Sequence, residues 1–323
     1  MSAEPDIERF DAKLSHGITL ACRATGPRDA PVLLFLHGFP EAGFVWDGMM
    51  AHFGDRYRCV APDLRGYGGS SAPAEVEAYR ARPLVTDLVG LIDLLVAPVP
   101  RGSDSVPGGR RLEALIGHDW GGAIGWALAI QRPELMNRLV MVNATHPGAF
   151  LRDLQSDPRQ QAASSYMDFL RRPDAGALLA ENDFARLWPF FTRMGGDAWL
   201  SDALRERYRS IWQQGLDGAL NWYRASPLHP PAGPDDPLHA LSLTPDQLRV
   251  RVPTTVLWGE ADTALLPGLL DGLDAWVPDL QVVRWADATH WVVHEHPARV
   301  AREIEAALLR PPGPGPQGRP SIR

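Results

Sequence analysis

The segment Gly117–Gly122, with the sequence Gly-His-Asp-Trp-Gly-Gly, is the part of the chain most informative about chemistry. It follows the apolar run Leu112–Ile116 and precedes a run of mostly small and apolar residues, Ala123–Ile130. This order predicts a strand, a sharp turn and a helix, the setting of a nucleophile elbow, with Asp119 where serine is usual. Because an aspartate has an ordinary pKa of about 3.9, it is ionised at neutral pH. It suits attack on a saturated carbon, so the sequence predicts cleavage of a C–O or C–halogen bond through an alkyl ester.

Two further polar residues complete an order of nucleophile, acid and histidine along the chain. Asp262 follows the predicted strand Thr254–Trp258, and His290 follows the predicted strand Gln281–Trp285. Open α/β sheets place their sites beyond the C-terminal ends of their strands, so these groups are expected at one edge. The sequence therefore predicts a catalytic triad of Asp119, Asp262 and His290.

The remaining pattern predicts the elements that must position these residues. Strands alternate with helices, which indicates a mostly parallel sheet with helices on both faces. Further strands are predicted at Ile18–Ala24, Pro31–His37, Tyr57–Ala61 and Leu139–Asn143, and helices at Leu84–Leu95 and Pro297–Leu309. Between them, helices are predicted at Gln160–Leu170, Asp174–Leu187, Asp202–Gly215 and Ala219–Arg224. We predict a core of residues 1–149 and 246–310, an inserted helical lid of residues 150–245, and a disordered tail of residues 311–323.

Composition restricts the class of protein. The 323 residues are 45% hydrophobic and 22% charged, which is typical of a globular protein. The net charge is -7, Lys13 is the only lysine and the arginines are scattered, so no nucleic-acid partner is expected. No apolar run approaches the roughly 18 residues of a membrane span, and the first ten residues do not form a secretory signal. We expect a cytoplasmic monomer or homodimer, with Cys22 and Cys59 as buried reduced thiols.

Several motifs together give the chain a family resemblance. His37–Pro40 is a His-Gly-x-Pro sequence after a predicted strand, and Gly117–Gly122 is the elbow. Asn221–Arg224 (Asn-Trp-Tyr-Arg) and Ser164–Asp168 (Ser-Ser-Tyr-Met-Asp) each bring a tyrosine within the predicted lid. With these motifs the chain resembles the epoxide hydrolases of the α/β-hydrolase fold from about residue 18 to residue 309. It departs from their pattern at Thr289, where glycine is commoner, and in a longer loop at residues 98–109.

The resemblance implies a two-stage reaction on an epoxide and water, without a metal or other cofactor. Asp119 is expected to attack a ring carbon while the hydroxyls of Tyr166 and Tyr223 bond to the ring oxygen and supply a proton. Water then attacks the resulting ester, with His290 as the base and Asp262 orienting the imidazole.

The same resemblance implies how the oxyanion and the substrate are bound. The backbone N–H groups of Phe39 and Trp120 are the expected oxyanion donors, since Pro40 has no N–H to donate. Phe39, Trp120, Tyr166 and Tyr223 are expected to line the substrate site. Two roles are predicted as alternatives for the Trp120 side chain: part of the wall of the site, or an indole N–H donor to a leaving group.

Three alternatives share the fold. A haloalkane dehalogenase uses the same nucleophile but needs two halide donors, and Phe39 offers no side-chain donor. A fluoroacetate-type dehalogenase would favour an arginine near the nucleophile, where Trp120 stands. A non-catalytic ligand receptor would be free to lose a triad member, yet all three positions are filled.

Other polar residues are expected to be structural. His37 is predicted to shape its loop by hydrogen bonding, and His118 to support the elbow. Asp63 and Arg65 are predicted to form a structural turn. The lid tryptophans are predicted to lie in the core or the wall of the site. The sequence His-Glu-His at residues 294–296 lacks a third metal ligand, so no metal site is expected.

Overall fold

The computed structural model describes residues 7–96 and 111–311, so the predicted 98–109 loop and residues 312–323 of the predicted tail lie outside it. Eight strands form one sheet in the order β1-β2-β4-β3-β5-β6-β7-β8. They are β1 (Glu8–Lys13), β2 (Thr19–Thr25), β3 (Val32–Leu36), β4 (Arg58–Pro62), β5 (Ala114–His118), β6 (Leu139–Val142), β7 (Thr254–Gly259) and β8 (Leu280–Trp285). Strand β2 runs antiparallel to β1 and β4, and the other neighbours are parallel. The predicted mostly parallel α/β sheet is confirmed.

Strand β1 was not among the predicted strands, of which Ile18–Ala24 came first in the chain. Residues Glu8–Lys13 pair with β2 along their whole length. They alternate partly buried and exposed side chains, and four of the six are charged, because β1 is the edge strand. An edge strand that is solvated in this way lacks the continuous apolar run by which the inner strands were recognised.

The inner strands are buried on both faces, as their apolar runs predict. Every residue of the four adjacent strands β3, β5, β6 and β7 is buried. Leu34 and Leu36 pack into one buried cluster, whereas Leu33 and Phe35 pack into a second cluster on the other face. The alternation follows from the two-residue period of a strand. The sheet is therefore held rigidly between two helical layers.

The helices of the described residues fall into a core set and an inserted set. The core helices are α1 (Asp47–Phe53), α2 (Ala81–Leu95), α3 (Asp119–Gln131), α12 (Val292–Glu295) and α13 (Pro297–Leu309). The helices between β6 and β7, which we call the insert, are α4 (Pro147–Ser156), α5 (Pro158–Ala163), α6 (Tyr166–Leu170), α7 (Ala175–Phe184), α8 (Trp188–Thr192), α9 (Asp202–Trp212), α10 (Asp217–Ala225) and α11 (Pro245–Leu248).

Two predicted helices of the insert have wrong boundaries. Predicted Gln160–Leu170 is interrupted at residues 164–165, which separate α5 from α6. Predicted Asp174–Leu187 stops at Phe184, and residues 182–184 have positive φ angles of 51°, 56° and 60°. Asn182 and Asp183 adopt this left-handed conformation more readily than most residues, which the apolar periodicity does not register.

Indole N–H groups fasten the insert to the core. Trp212 Nε1 donates to the Pro40 carbonyl at 2.7 Å, and Trp222 Nε1 donates to the Arg65 carbonyl at 2.9 Å. Both tryptophans are almost fully buried, which confirms the predicted packing role. Both bonds end on loops that follow the C-terminal ends of β3 and β4, so α9 and α10 are held over that edge of the sheet.

Two smaller findings concern the described residues. Cys22 and Cys59 are both free and buried, as predicted. None of the helices within residues 7–96 and 111–311 is both long and apolar enough to cross a membrane.

Candidate active site

The elbow holds Asp119 in a strained backbone conformation at the junction of β5 and α3. Its φ angle is 50°, in the left-handed region that non-glycine residues rarely adopt. The glycines beside it allow close packing: a Cβ on Gly121 would lie 2.5 Å from the His37 carbonyl oxygen, and one on Gly122 would lie 2.2 Å from Ala144 Cβ. Helix α3 therefore packs against the sheet closely enough to project the Asp119 carboxylate beyond the strand end.

One Asp119 oxygen is already bound by the loop after β3. The Phe39 N–H donates to Asp119 Oδ1 at 2.7 Å. Trp120 is the second residue of α3, where helix geometry leaves backbone N–H groups without intrahelical partners. The positive end of the helix dipole also favours negative charge at this point. The second oxygen, Oδ2, lies 3.7 Å from His290 Nε2.

The structure brings all three predicted triad residues together. His290 Nδ1 lies 2.7 Å from Asp262 Oδ2, while its Nε2 faces Asp119. The backbone N–H groups of Ala264 and Leu265 donate to Asp262 Oδ1 at 2.8 and 2.9 Å. Burial raises the pKa of Asp262, but these bonds and the charge of His290 outweigh it and hold the pKa below its ordinary value. Asp262 is therefore a stable carboxylate that orients the imidazole.

The basicity of His290 is set by opposing effects. Burial lowers its pKa, whereas the charge and hydrogen bond of Asp262 and then the charge of Asp119 raise it, to about 9 overall. In the resting site the imidazole is therefore mostly protonated at neutral pH. Neutralising Asp119 removes one of the causes that raise the pKa.

The two predicted tyrosines approach from the insert. Tyr166 is the first residue of α6, Tyr223 lies in α10, and their ring centroids are 6.2 Å apart. Tyr223 stands edge-on to Phe39 at 5.2 Å and to Trp120 at 5.1 Å. Burial and then nearby groups, including the Asp119 carboxylate, raise the pKa values of both phenols, so both hydroxyls keep their protons. A hydrogen bond with the Trp120 side chain partly opposes this rise in the pKa of Tyr223.

Comparisons with known proteins identify the family of the chain. Residues 33–303 match the model of the alpha/beta hydrolase family. An AB hydrolase superfamily protein of Bacillus subtilis, YfhM, is 33% identical over 90% of this chain and 94% of its own. Human epoxide hydrolase 4 is 32% identical over 87% of this chain and 73% of its own.

A solved structure extends the comparison. A mutant Bacillus megaterium epoxide hydrolase, complexed with its product (R)-3-[1]naphthyloxy-propane-1,2-diol, superposes with a TM-score of 0.79. The two are 27% identical, and the match covers 93% of this chain and all of the other. The chain belongs to the epoxide hydrolase group of the α/β-hydrolase family. The resemblance given by the sequence motifs is confirmed.

Asn143 of this chain is a site residue that the sequence analysis did not predict. Its Nδ2 donates to Asp262 Oδ2 at 2.9 Å, and its Oδ1 accepts from the Gly259 N–H at 2.9 Å. Asn143 follows β6 at the same sheet edge as the triad and has a φ angle of 39°. A polar residue at the end of a buried strand was the available signal, but its partner was not visible in the sequence.

A buried network around Glu41 was also missed. Glu41 Oε1 accepts from the Tyr208 hydroxyl at 2.8 Å and lies 2.7 Å from His294 Nε2. Glu41 Oε2 lies 3.3 Å from His118 Nδ1, and His118 Nε2 lies 2.9 Å from the His290 carbonyl oxygen. Glu41 directly follows the His-Gly-Phe-Pro motif, but its partners come from distant segments. The network supports the backbone of His290.

The residues predicted to be structural have structural contacts. His37 Nδ1 donates to the Gly38 carbonyl at 2.9 Å, and Nε2 accepts from the Leu64 N–H at 3.0 Å, so the imidazole shapes its loop. Arg65 pairs with Asp87 through two short bonds. The unusual Thr289 donates its hydroxyl to Glu295 Oε1 at 2.7 Å beside His290. The departure at Thr289 therefore adds a contact to the histidine loop and removes no reacting atom.

Proposed function

We propose that the chain hydrolyses an apolar epoxide to a vicinal diol through an ester on Asp119. One observation carries this proposal. His290 of the core and the two tyrosines of the insert, Tyr166 and Tyr223, all approach the Asp119 carboxylate. A phenol that keeps its proton suits the release of an alkoxide, which needs a proton, better than the release of a halide, which does not.

In the first stage, Asp119 Oδ2 attacks a ring carbon while Oδ1 stays bound to the Phe39 N–H. A carbon–oxygen bond forms to the carboxylate as the ring carbon–oxygen bond breaks. The departing oxygen takes a proton from Tyr166 or Tyr223, leaving a phenolate, and the enzyme now carries a hydroxyalkyl ester. Because the Asp119 charge is lost, the pKa of His290 falls, the imidazolium releases its proton to solvent, and the neutral imidazole can act as a base.

In the second stage, water attacks the ester carbonyl carbon and gives a proton to His290 Nε2. The N–H groups of Phe39 and Trp120 stabilise the oxyanion, each contributing roughly a hundredfold in rate. Cleavage of the ester releases the diol oxygen, which takes the proton from His290. The proton of the new Asp119 carboxyl group returns to the phenolate, and His290 regains from solvent the proton that it released when the ester formed, so every enzyme group recovers its starting state.

The wall of the site favours an apolar substrate. The rings of Phe39 and Phe190 stand 5.7 Å apart at right angles, and Tyr166 contacts Phe190 at 5.9 Å. Such aromatic edges and faces provide apolar contact area for an aryl or alkyl group. The related Bacillus megaterium protein holds a naphthyloxy diol, which is consistent with this substrate class. We assign residues 150–245 of the insert as a lid that closes the site from above.

A single turnover in ¹⁸O-labelled water tests the proposal. With enzyme in excess over styrene oxide, we expect the label in the Asp119 side chain and an unlabelled diol, measured by mass spectrometry of both. Label in the diol during this first turnover would mean direct attack by water and would refute the ester mechanism. As a control, His290→Gln should accumulate the alkyl-enzyme, and no diol or adduct from any epoxide would refute the activity itself.

A further inference from the structure

The helix that carries Tyr166 is too short to hold its own position. Helix α6 has five residues, and isolated helices of this length are not stable in water. The placement of the Tyr166 hydroxyl therefore depends on contacts between α6 and its neighbours. Helix α10, which carries Tyr223, packs directly against it.

Arg171, the residue directly after α6, reaches across to the end of α10. Its Nη1 donates to the Tyr223 carbonyl at 2.6 Å and to the Ser226 carbonyl at 3.0 Å. The Tyr223 carbonyl has no partner four residues on, because Pro227 lacks an N–H. A cation at the C-terminal end of a helix is also favoured by the helix dipole. Arg171 therefore supplies a hydrogen-bond donor to the backbone carbonyl of Tyr223, the second tyrosine of the site.

A second arginine crosses in the opposite direction. Arg224 follows Tyr223, and its Nη2 donates to the Arg172 carbonyl at 2.9 Å. Its Nη1 donates to Asn221 Oδ1 at 2.9 Å, which fixes the guanidinium against α10. The segment that follows α6 thus gives a guanidinium to the end of α10, and α10 gives one to the backbone of that segment.

Arg171 is a half-buried cation that contacts carbonyl groups. Burial lowers its pKa, and the charges of Asp168 and Asp236 partly oppose this. Among residues 7–96 and 111–311, no carboxylate pairs with its guanidinium at salt-bridge distance. Neighbouring Arg172 differs, because its exposed side chain pairs with Asp174 at 2.6 Å. The chain therefore supplies a matched control at the next position.

We propose that Arg171 is a positioning residue that sets the spacing of the Tyr166 and Tyr223 hydroxyls for protonation of the ring oxygen. The inference rests on the proposed epoxide hydrolysis. A displacement of α6 relative to α10 moves one hydroxyl away from the ring oxygen, and a shift of about 1 Å can cost about a hundredfold in rate. The ester-hydrolysis stage uses His290 and Asp262, which lie on the core, so it is unaffected.

Rapid quench of wild type, Arg171→Met, Arg171→Lys and Arg172→Met with styrene oxide separates the two stages. We expect Arg171→Met to slow formation of the alkyl-enzyme by about 10- to 100-fold, with its breakdown within about 3-fold of wild type. Arg171→Lys should restore part of the rate, because its ammonium keeps the positive charge but lacks the planar geometry of the guanidinium. Arg172→Met should match wild type at both stages.

Other outcomes refute the inference in distinguishable ways. Unchanged alkylation in Arg171→Met, or equal slowing of both stages, overturns the positioning role while leaving epoxide hydrolysis intact. A wild type that forms neither adduct nor diol overturns the proposed function and, with it, this inference. If Arg171→Met does not fold, alkylation by Arg171→Lys decides: partial slowing of ester formation with normal ester breakdown supports the role, and a wild-type rate of ester formation contradicts it.

Discussion

The charge on His290 depends on which of its neighbours is ionised at each stage of the reaction. In the resting enzyme, Asp262 and Asp119 together hold its pKa at about 9 against the effect of burial. An imidazolium cannot accept a proton from water. In the proposed mechanism, formation of the ester on Asp119 removes one negative charge 3.7 Å from Nε2 and so lowers the pKa of His290 before water attacks.

This dependence predicts the pH profile of ester hydrolysis. The breakdown rate of the alkyl-enzyme should rise with pH through an apparent pKa below 9, because only neutral His290 accepts a proton. Asp262→Asn should move this inflection to lower pH, since Asp262 is the strongest cause raising the pKa. It should also lower the plateau by a factor on the order of 10⁴.

Rapid-quench measurements between about pH 6 and pH 10 test this prediction over the range where His290 titrates. As a control, Asp93→Asn changes an exposed carboxylate on α2 and should leave the profile unchanged. An inflection that stays at the same pH in Asp262→Asn would contradict the assignment of Asp262.

At the scale of elements, the close approach of two loops positions the Asp119 carboxylate. The loop after β3 passes so near the elbow that a Cβ on Gly38 would lie 2.3 Å from Asp119 Cβ and 2.4 Å from Oδ1. Only glycine leaves room for the Phe39 N–H to reach the carboxylate at 2.7 Å. The glycine of the His-Gly-x-Pro motif is thus explained by the space that the side chain of Asp119 requires.

Gly38→Ala is therefore expected to lower turnover by roughly 100-fold, because the added methyl group displaces the Asp119 carboxylate from its donor. Gly48→Ala is the matched control: it lies in α1 with nothing within 4 Å of its added Cβ, so activity should be unchanged. Turnover of styrene oxide and thermal unfolding should be measured for both. Wild-type turnover in Gly38→Ala would show that the contact does not position Asp119.

At the scale of the whole molecule, Glu41 joins segments from across the chain. It bonds to Tyr208 of the insert and to His294 of α12, and it lies beside His118 at the elbow. Burial raises its pKa, but His294 and His118 outweigh this effect and lower the pKa below its ordinary value of 4.5. A carboxyl group with a lowered folded-state pKa stabilises the fold above that ordinary value, and this stabilisation is lost as pH falls below it.

Glu41→Gln is expected to lower the free energy of unfolding by about 3 kcal/mol at neutral pH, because it removes one partner of a buried charged cluster. The difference from wild type should shrink in acid, as the wild-type carboxyl is protonated. Urea denaturation at neutral and at acidic pH measures this difference in the free energy of unfolding. Glu305→Gln, which changes a partly exposed carboxylate bonded to Arg56 and His52, should leave unfolding nearly unchanged, and equal effects of the two variants would contradict the role of Glu41.

Much of the fold and site was predictable from local pattern. The apolar runs of β3, β5 and β7 marked buried strands, and the small residues around Asp119 marked the elbow. Edge strand β1 was missed because its partly solvated face lacks an apolar run. The breaks at residues 164–165 and 182–184 were missed because apolar periodicity does not report backbone conformation.

Residue type and order by themselves predicted an ionised aspartate, a histidine and a supporting acid, and the family resemblance added two phenols. Only the tertiary structure decided which groups meet. Tyr208 and Glu41 are 167 residues apart in sequence, and Asn143 and Asp262 are 119 apart, yet each pair shares a hydrogen bond. Such partners depend on how the strand ends and the insert pack together, and the free energy of that packing comes from contacts that local sequence does not specify.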